Sequence, residues 1–379
     1  MKATSVKTKI NIPDPLVEAK QEATTFSNLA HRIEIGLERV FKDDSFVDPD
    51  SMLEGIEAFH KERMAKMPSR TRYPEAPPWV DFVIARDQHL QERTGLSDRQ
   101  MAIHRSLGDY RCFRGTLRAH PKLVEKCRVV YIPETDRGQL HIKNVDDPAI
   151  EWKPDPRAPK VWQEEVVMDG VGSGLHIDDE PDEIFPLPVH RMARAHCADV
   201  PGAVDFFTRY SKFWSGSNLL VRDRQKRSAA IEKTSRNFIE VFPPDSTGGS
   251  HISGMVCRDP NSPQGRYVTA KRKQFLDRFH QPPDCQENAF WGACDKAEQK
   301  LAAFLNKPGH RTVEEIFTLF TTPWPKGLNK PGKPYHPKQT SMFEYTLVTL
   351  ARLMDERKTY RWQRDAECRY PDQPEVYAI

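Results

Sequence analysis

The helix-like and strand-like segments of this 379-residue chain are segregated along its length. Before residue 127, apolar residues recur at intervals of three or four, as at Leu29, Ile33 and Leu37, which is the period of an amphipathic helix. These patterns predict helices over residues 28–42, 51–66, 80–94, 97–106 and 117–125.

After residue 127 the strand patterns dominate. They predict strands over residues 128–132, 139–143, 163–168, 174–178, 217–223, 227–233, 236–242 and 359–364. Helical patterns interrupt or follow them over residues 188–195, 202–210, 266–279, 295–305, 312–320 and 342–347. Segregated runs of this kind favour an α+β class with largely antiparallel sheets over alternating βαβ units.

Charge and cysteine content exclude several classes of function. The 57 basic and 54 acidic residues are mixed along the chain and leave a net charge of +3, so nothing favours a nucleic-acid partner. No apolar run approaches the ~20 residues that cross a bilayer, and the N-terminus has no apolar signal segment. Seven scattered cysteines without a CxxC pair indicate a reducing, cytoplasmic location and no metal site. No glycine-rich phosphate loop follows a strand, so we expect no cofactor.

The hairpin formed by residues 128–132 and 139–143 begins directly after a cysteine, Cys127. If the bond between Lys126 and Cys127 were cleaved, Cys127 would carry both a thiol and a free α-amine with a pKa of ~7.7–8.0. The amine can then act as the base that activates the thiol, so one residue supplies nucleophile and base. The alternative is a buried cysteine that packs as a small apolar residue.

Two polar residues follow the second strand of this hairpin. Asn144 and Asp146 are two positions apart, so they share a face, and the hairpin folds them back beside Cys127. The carboxylate of Asp146 suits an ammonium or a substrate polar group, and the amide of Asn144 suits a backbone or substrate oxygen. The alternative is that both residues cap the turn before Pro148.

The order of these and later features resembles a family of cysteine N-terminal-nucleophile hydrolases, the one that includes acyl-coenzyme A:6-aminopenicillanic acid acyltransferase and related amidases. The resemblance extends, in order along the chain, over Cys127–Asp146, Gly170–Leu175, Val189–Tyr210, Asn218–Thr234, Gly249–Ile252 and Arg266–Phe279. The chain departs from the family pattern around Cys127, where Glu-Lys-Cys-Arg is found, and at Val145, where relatives have an aromatic residue. Ser250 and His251 stand where relatives carry an asparagine that donates to the oxyanion.

This resemblance implies a four-layer αββα fold over residues 127–379, preceded by a helical region over residues 1–126 that becomes a propeptide or small subunit. It implies a cysteine amidohydrolase or acyltransferase that acts on a small amide or acyl donor through an acyl-enzyme at Cys127. Ser250 and His251 would help to bind the oxyanion. The glycine-rich segment Gly172, Ser173 and Gly174 would let a substrate approach the backbone, or would serve a tight turn alone.

A non-catalytic interpretation stays open beside this one. The altered flanks of Cys127 also suit an uncleaved member of the fold that acts as a binding or assembly protein. The sequence leaves the oligomeric state open.

Overall fold

The computed structural model of the chain describes residues 16–17, 20, 54, 57–58, 61–62, 65–66, 71, 73–77, 79–99, 101, 128–146, 166–171, 189, 193, 197–214, 217–223, 225–235, 238–243, 251–253, 259–267, 269–270, 292–309, 311–329, 346–363 and 370–378. Among these, only the backbone is described for residues 79, 83, 145–146, 166–171, 217, 234–235, 238, 251–253, 292–295 and 347.

The first sheet is antiparallel and has six strands among the described residues. These strands are β1 (Arg128–Thr135), β2 (Gly138–Asp146), β7 (His251–Ser253), β8 (Thr346–Leu353), β9 (Lys358–Gln363) and β10 (Glu375–Ala378), in the spatial order β10-β9-β8-β2-β1-β7. The hairpin β1–β2 therefore lies inside the sheet, with β7 on one side and β8 on the other. Its turn needs Gly138, whose φ of 95° lies in the left-handed region that favours glycine.

The second sheet is also antiparallel and has four described strands. These are β3 (Val166–Val171), β4 (Ser217–Asp223), β5 (Ser228–Ser235) and β6 (Phe238–Phe242), in the order β3-β4-β5-β6. The turn between β4 and β5 is organised by Asp223, whose carboxylate accepts from the backbone and guanidinium of Arg227. Asp223 also accepts from the backbone N–H of Val200 at 3.0 Å, which ties this turn to the beginning of a helix.

Each sheet packs one face against helices. The described helices with named bounds are α1 (Trp79–Thr94), α2 (Val200–Arg209), α3 (Gly292–Leu305) and α4 (Val313–Thr321). Residues of α1 and α2 pack on the second sheet in a core that includes Val80, Phe207, Leu219 and Ile231. A separate core joins α3 and α4 to the first sheet; it includes Leu301, Ile316, Val130, Ile142 and Ala351. Helices and antiparallel sheets segregated in this way make the chain an α+β protein.

The remaining faces of the two sheets approach each other. Strands β1 and β7 contact β4, and β7 also contacts β5. Arg222 of β4 lies over the ring of Tyr131 of β1, 5.8 Å from its centroid, and donates to Nδ1 of His141 at 3.3 Å. We call the side of the first sheet that carries Tyr131 and His141 its inner face. No described helix has the length and apolar character needed to cross a membrane.

Most predicted elements that fall on described residues are confirmed, with shifted bounds. The predicted strand 163–168 is β3 at Val166–Val171, and the predicted helix 312–320 is α4 at Val313–Thr321. The predicted helix 342–347 is wrong where the structure describes it, because residues 346 and 347 begin strand β8. Strand β10 was not predicted; its four residues are exposed and lack the apolar alternation that marks a strand.

Candidate active site

The register of the hairpin brings the end of β2 to the beginning of β1. Arg128, the first residue of β1, is the antiparallel partner of Asn144, so the predicted proximity of Asn144 to this end of the hairpin is confirmed. Cys127 directly precedes Arg128 and lies outside the described residues. Strand β1, which begins at the next residue, pairs with β2 on one side and with β7 on the other.

Asn144 is completely buried, on the side of the first sheet that packs against α4. Its Nδ2 atom donates to the carbonyl oxygens of Phe320 and Leu328, at 3.4 Å each. Its Oδ1 atom accepts from the hydroxyl of Thr349 at 2.7 Å. Of the two acceptors suggested by the sequence, a backbone oxygen or a substrate oxygen, the structure has Asn144 bonded to backbone oxygens.

The other predicted site residues are described in part or not at all. Asp146 is the last residue of β2, and its backbone pairs with Thr346 after a bulge that adds one residue to β8. The backbone of His251 pairs with Tyr131, so β7 brings His251 beside the hairpin. Gly172, Ser173, Gly174 and Ser250 lie outside the described residues, as does Cys127. The catalytic and binding roles of all these residues stay predictions.

A buried polar cluster lies between the sheets, and sequence reasoning missed it. Arg222 is 1% exposed and contacts His141, the ring of Tyr131 and the Sδ atom of Met354. Tyr131 in turn donates to Oε1 of Gln139 at 2.8 Å. Burial raises the pKa of the Tyr131 hydroxyl, against the opposing effect of the Arg222 guanidinium, so this phenol stays protonated.

A second buried polar pair lies on the face of the second sheet that is opposite its helices. Asn218 of β4 and Glu232 of β5 are register partners, and each is almost completely buried. Their chain neighbours Leu219 and Ile231 belong to the helix-facing core, so the alternation of strand side chains directs Asn218 and Glu232 towards the first sheet. The signal available in the sequence was the spacing of Asn218 and Arg222, which lie four positions apart in β4 and therefore share a face.

The thiol of Cys197 offers a contrast with Cys127. Burial, together with the nearby carboxylates Asp199 and Asp205, raises the pKa of the Cys197 thiol to about 12. Because the thiolate is the nucleophilic form, Cys197 is chemically inert near neutral pH. Cys197 therefore does not compete with Cys127 for the role of nucleophile.

Comparison with models of known protein families found no match to this chain, and comparison with curated proteins found no significant match. The β1–β2 hairpin provides a rigid strand that starts directly after a cysteine, and buried polar side chains line the space between the sheets. Such an arrangement suits nucleophilic attack by a residue held at the end of a strand.

Proposed function

We propose that the chain is a cysteine amidohydrolase or acyltransferase of the N-terminal-nucleophile type, with a four-layer αββα fold over residues 127–379. Cys127 is its nucleophile, after cleavage of the bond that joins it to Lys126. The substrate is a small amide or another acyl donor, and the reaction takes place in a reducing, cytoplasmic compartment.

One observation carries this proposal. Cys127 immediately precedes the first residue of β1, and that strand lies inside a six-stranded antiparallel sheet whose neighbouring strand ends at Asn144 and Asp146. The contacts of Arg222 with Tyr131 and His141 support two stacked sheets, and the two separate helix-facing cores support a helical layer on each outer side. Both observations support the proposal of four layers, with two sheets between two layers of helices.

The reaction follows from the groups on Cys127. The thiol proton passes to the free α-amine as the sulfur attacks the substrate carbonyl, which forms a tetrahedral oxyanion. Ser250 and His251, with backbone N–H groups, stabilise that oxyanion; one such donor contributes ~2.7–4 kcal/mol. The leaving amine takes the proton as the C–N bond breaks, which leaves a thioester on Cys127. Water or an acceptor amine then attacks the thioester and releases the acyl group.

A second candidate function, an uncleaved binding or assembly protein, is favoured by the contacts of Asn144. Both hydrogen-bond donors of its amide are directed at backbone oxygens of the protein itself, at Phe320 and Leu328. An amide whose two N–H groups are both bonded to the protein backbone has no donor left for a substrate oxygen, which favours a structural role for Asn144.

A denaturing gel separates the two candidates. Autocleavage at Lys126–Cys127 predicts fragments of 126 and 253 residues, and mass spectrometry should give Cys127 as the new N-terminus. The Cys127→Ala variant should stay a single 379-residue chain, whereas a Cys197→Ala control should be cleaved like the wild type. A wild-type chain that remains uncut after purification and prolonged incubation would contradict the N-terminal amine mechanism.

A further inference from the structure

Two contacts between the sheets orient strand β4 relative to β1. Arg222 of β4 lies over the ring of Tyr131 of β1, and Lys226, in the turn that follows β4, forms an ion pair with Glu134 at 3.4 Å. The chain advances from Tyr131 to Glu134 in β1 and from Arg222 to Lys226 at the end of β4. The two strands therefore run in the same direction on either side of the space between the sheets.

This direction places Asn218 at the end of the space where β1 begins. Asn218 precedes Arg222 by four residues, which is about 13 Å along a strand, and Cys127 precedes Tyr131 by the same four positions of the chain. Packed sheets cross at an angle of about 30°, which offsets the two positions sideways by about one to two strand spacings. Asn218 is therefore level with the beginning of β1, the strand that directly follows the proposed nucleophile.

Two further segments with predicted site residues adjoin the strands of Asn218 and its register partner Glu232. Val171, the last residue of β3, is the partner of Asn218 on the other side, and the predicted substrate-binding residue Gly172 follows Val171 directly in the chain. Strand β7, whose backbone includes His251, contacts both β4 and β5. The pair Asn218 and Glu232 thus lies on the face, and at the end of the second sheet, where the proposed acyl-enzyme would form.

Glu232 brings a carboxylate into this part of the space between the sheets, although it is almost completely buried. Its register partner in β6 is Glu240, so two acidic side chains are neighbours on one face. Like charges directly opposite each other on paired strands are destabilising, and a buried carboxylate is costly without a cation. On the facing strands β1 and β2, the described cation at this end is Lys143, the partner of Val129. One lysine opposite two carboxylates favours a further cationic group.

We propose that Glu232 is a specificity-determining residue, whose carboxylate binds an ammonium group in the acyl part of the substrate. The inference rests on the proposed acyl-transfer function. The leaving amine and the incoming water must exchange with solvent, whereas the acyl group stays attached to the enzyme between the two steps. The buried side of the site therefore suits the acyl group, and the substrate class is an amide whose acyl chain carries an amine. Asn218 and Glu240 lie on either side of Glu232 and add a polar, negatively charged surrounding.

The test compares p-nitrophenyl 6-aminohexanoate with p-nitrophenyl heptanoate on the cleaved full-length protein. The two acyl chains have equal length and differ in one terminal group, an ammonium or a methyl, so the ratio of their kcat/KM values measures recognition of the charge. We expect the wild type to prefer the aminohexanoyl ester by about tenfold or more, the effect of one charge-assisted hydrogen bond. Glu232→Gln keeps the size of the side chain but removes its charge, and should abolish this preference. The heptanoyl kcat/KM should stay within about threefold of wild type.

Three other variants make the test independent of any single substitution. Glu232→Asp retains the charge and should retain part of the preference for the ammonium. Glu240→Gln removes only the neighbouring charge, so it should lower the ratio by about threefold. Glu314→Gln is the matched control, because Glu314 is an exposed carboxylate on α4, in the helical layer outside the first sheet, and its loss should leave the ratio unchanged.

The outcomes separate the inference from the function on which it rests. A wild-type ratio near one, or a ratio that Glu232→Gln leaves unchanged, would overturn the role of Glu232. A lower free energy of unfolding in Glu232→Gln, together with an unchanged ratio, would make Glu232 a structural counterion of Lys143 and would also overturn it. If p-nitrophenyl acetate forms no acetyl adduct at Cys127, the proposed function itself is refuted and the substrate class falls with it.

Discussion

Replacing Arg222 tests whether the two sheets are held together by a buried cation. Its guanidinium is 1% exposed, donates to Nδ1 of His141 at 3.3 Å and lies 5.8 Å from the centroid of the Tyr131 ring. A hydrogen bond from a charged donor contributes ~1.5–3 kcal/mol, and a desolvated cation–π contact contributes about 2 kcal/mol. Truncation to alanine also leaves a cavity between the sheets.

The hydrogen bond and the cation–π contact offset the free-energy cost of keeping the guanidinium of Arg222 out of water. Arg222→Ala loses the contacts and the volume, so we expect its free energy of unfolding to fall by about 3–5 kcal/mol. Arg222→Met keeps most of the volume and removes the charge, so its loss should be smaller, about 1–2 kcal/mol. The difference between the two variants isolates the packing contribution.

Urea unfolding measures both changes, monitored by tryptophan fluorescence in a Cys127→Ala background that keeps the chain in one piece. Arg209→Met is the control, because Arg209 is 57% exposed and forms a surface pair with Asp205; its effect should stay within about 0.5 kcal/mol. If Arg222→Ala were no less stable than this control, Arg222 would not join the sheets and the stacking of the two sheets would lose its main support.

Three further predictions concern single groups. The hydrogen bond from Arg137 holds the pKa of the Glu356 carboxyl at about 2, below its ordinary 4.5. The ionised Glu356 therefore contributes fully to the free energy of unfolding above pH 4.5, and this contribution is lost as the pH falls towards 2. Glu356→Gln should remove about 1 kcal/mol of stability at pH 7 but not at pH 2, which urea unfolding at the two pH values would measure. An equal loss at both pH values would contradict a stabilising role of the ionised carboxylate. Maleimide at pH 8 should label Cys197 at least about 1,000-fold more slowly in the native than in the denatured chain, by peptide mapping; equal rates would refute its burial. Thr312→Ala should lower the melting temperature through a loss of about 1 kcal/mol, because Thr312 and Glu315 form a capping box on α4; Thr312→Ser should restore it, and equal effects of the two would argue against the cap.

Local signals in the sequence were sufficient for the hairpin and for α4. The apolar run of β1, the alternation in β2 and the turn at Gly138 identify the hairpin, and Thr312 and Glu315 mark the beginning of α4. Both elements are specified by residues close together in the chain, so a pattern of a few residues contains the information needed.

Strand β8 could not be assigned in the same way. Its residues Thr346–Leu353 pair with β2 on one side and β9 on the other, and the apolar side chains Leu350 and Ala351 fall on opposite faces of the sheet. A strand paired on both sides with apolar residues on both faces loses the strict alternation that marks a half-exposed strand. Its position was set by long-range pairing.

The interior of the candidate site depends on the same kind of long-range contact. Arg222 meets His141 across 81 positions of the chain, and Asn144 meets Leu328 across 184. The pattern within a strand gives the face on which a polar side chain lies, but it does not tell whether that face is buried or exposed to solvent. The sequence therefore indicated Cys127 and Asn144 through their place in a hairpin, whereas the backbone partners of Asn144 and the buried cluster at Arg222 emerged only from the packing.

The most direct test of the account is the intact mass of the 253-residue fragment after incubation with p-nitrophenyl acetate. If Cys127 is the nucleophile, we expect one added acetyl group, located at Cys127 by peptide mapping, released by hydroxylamine at neutral pH and absent from Cys127→Ala. A fragment with no adduct, or with an adduct that persists in Cys127→Ala, would contradict the assignment of Cys127 as the nucleophile.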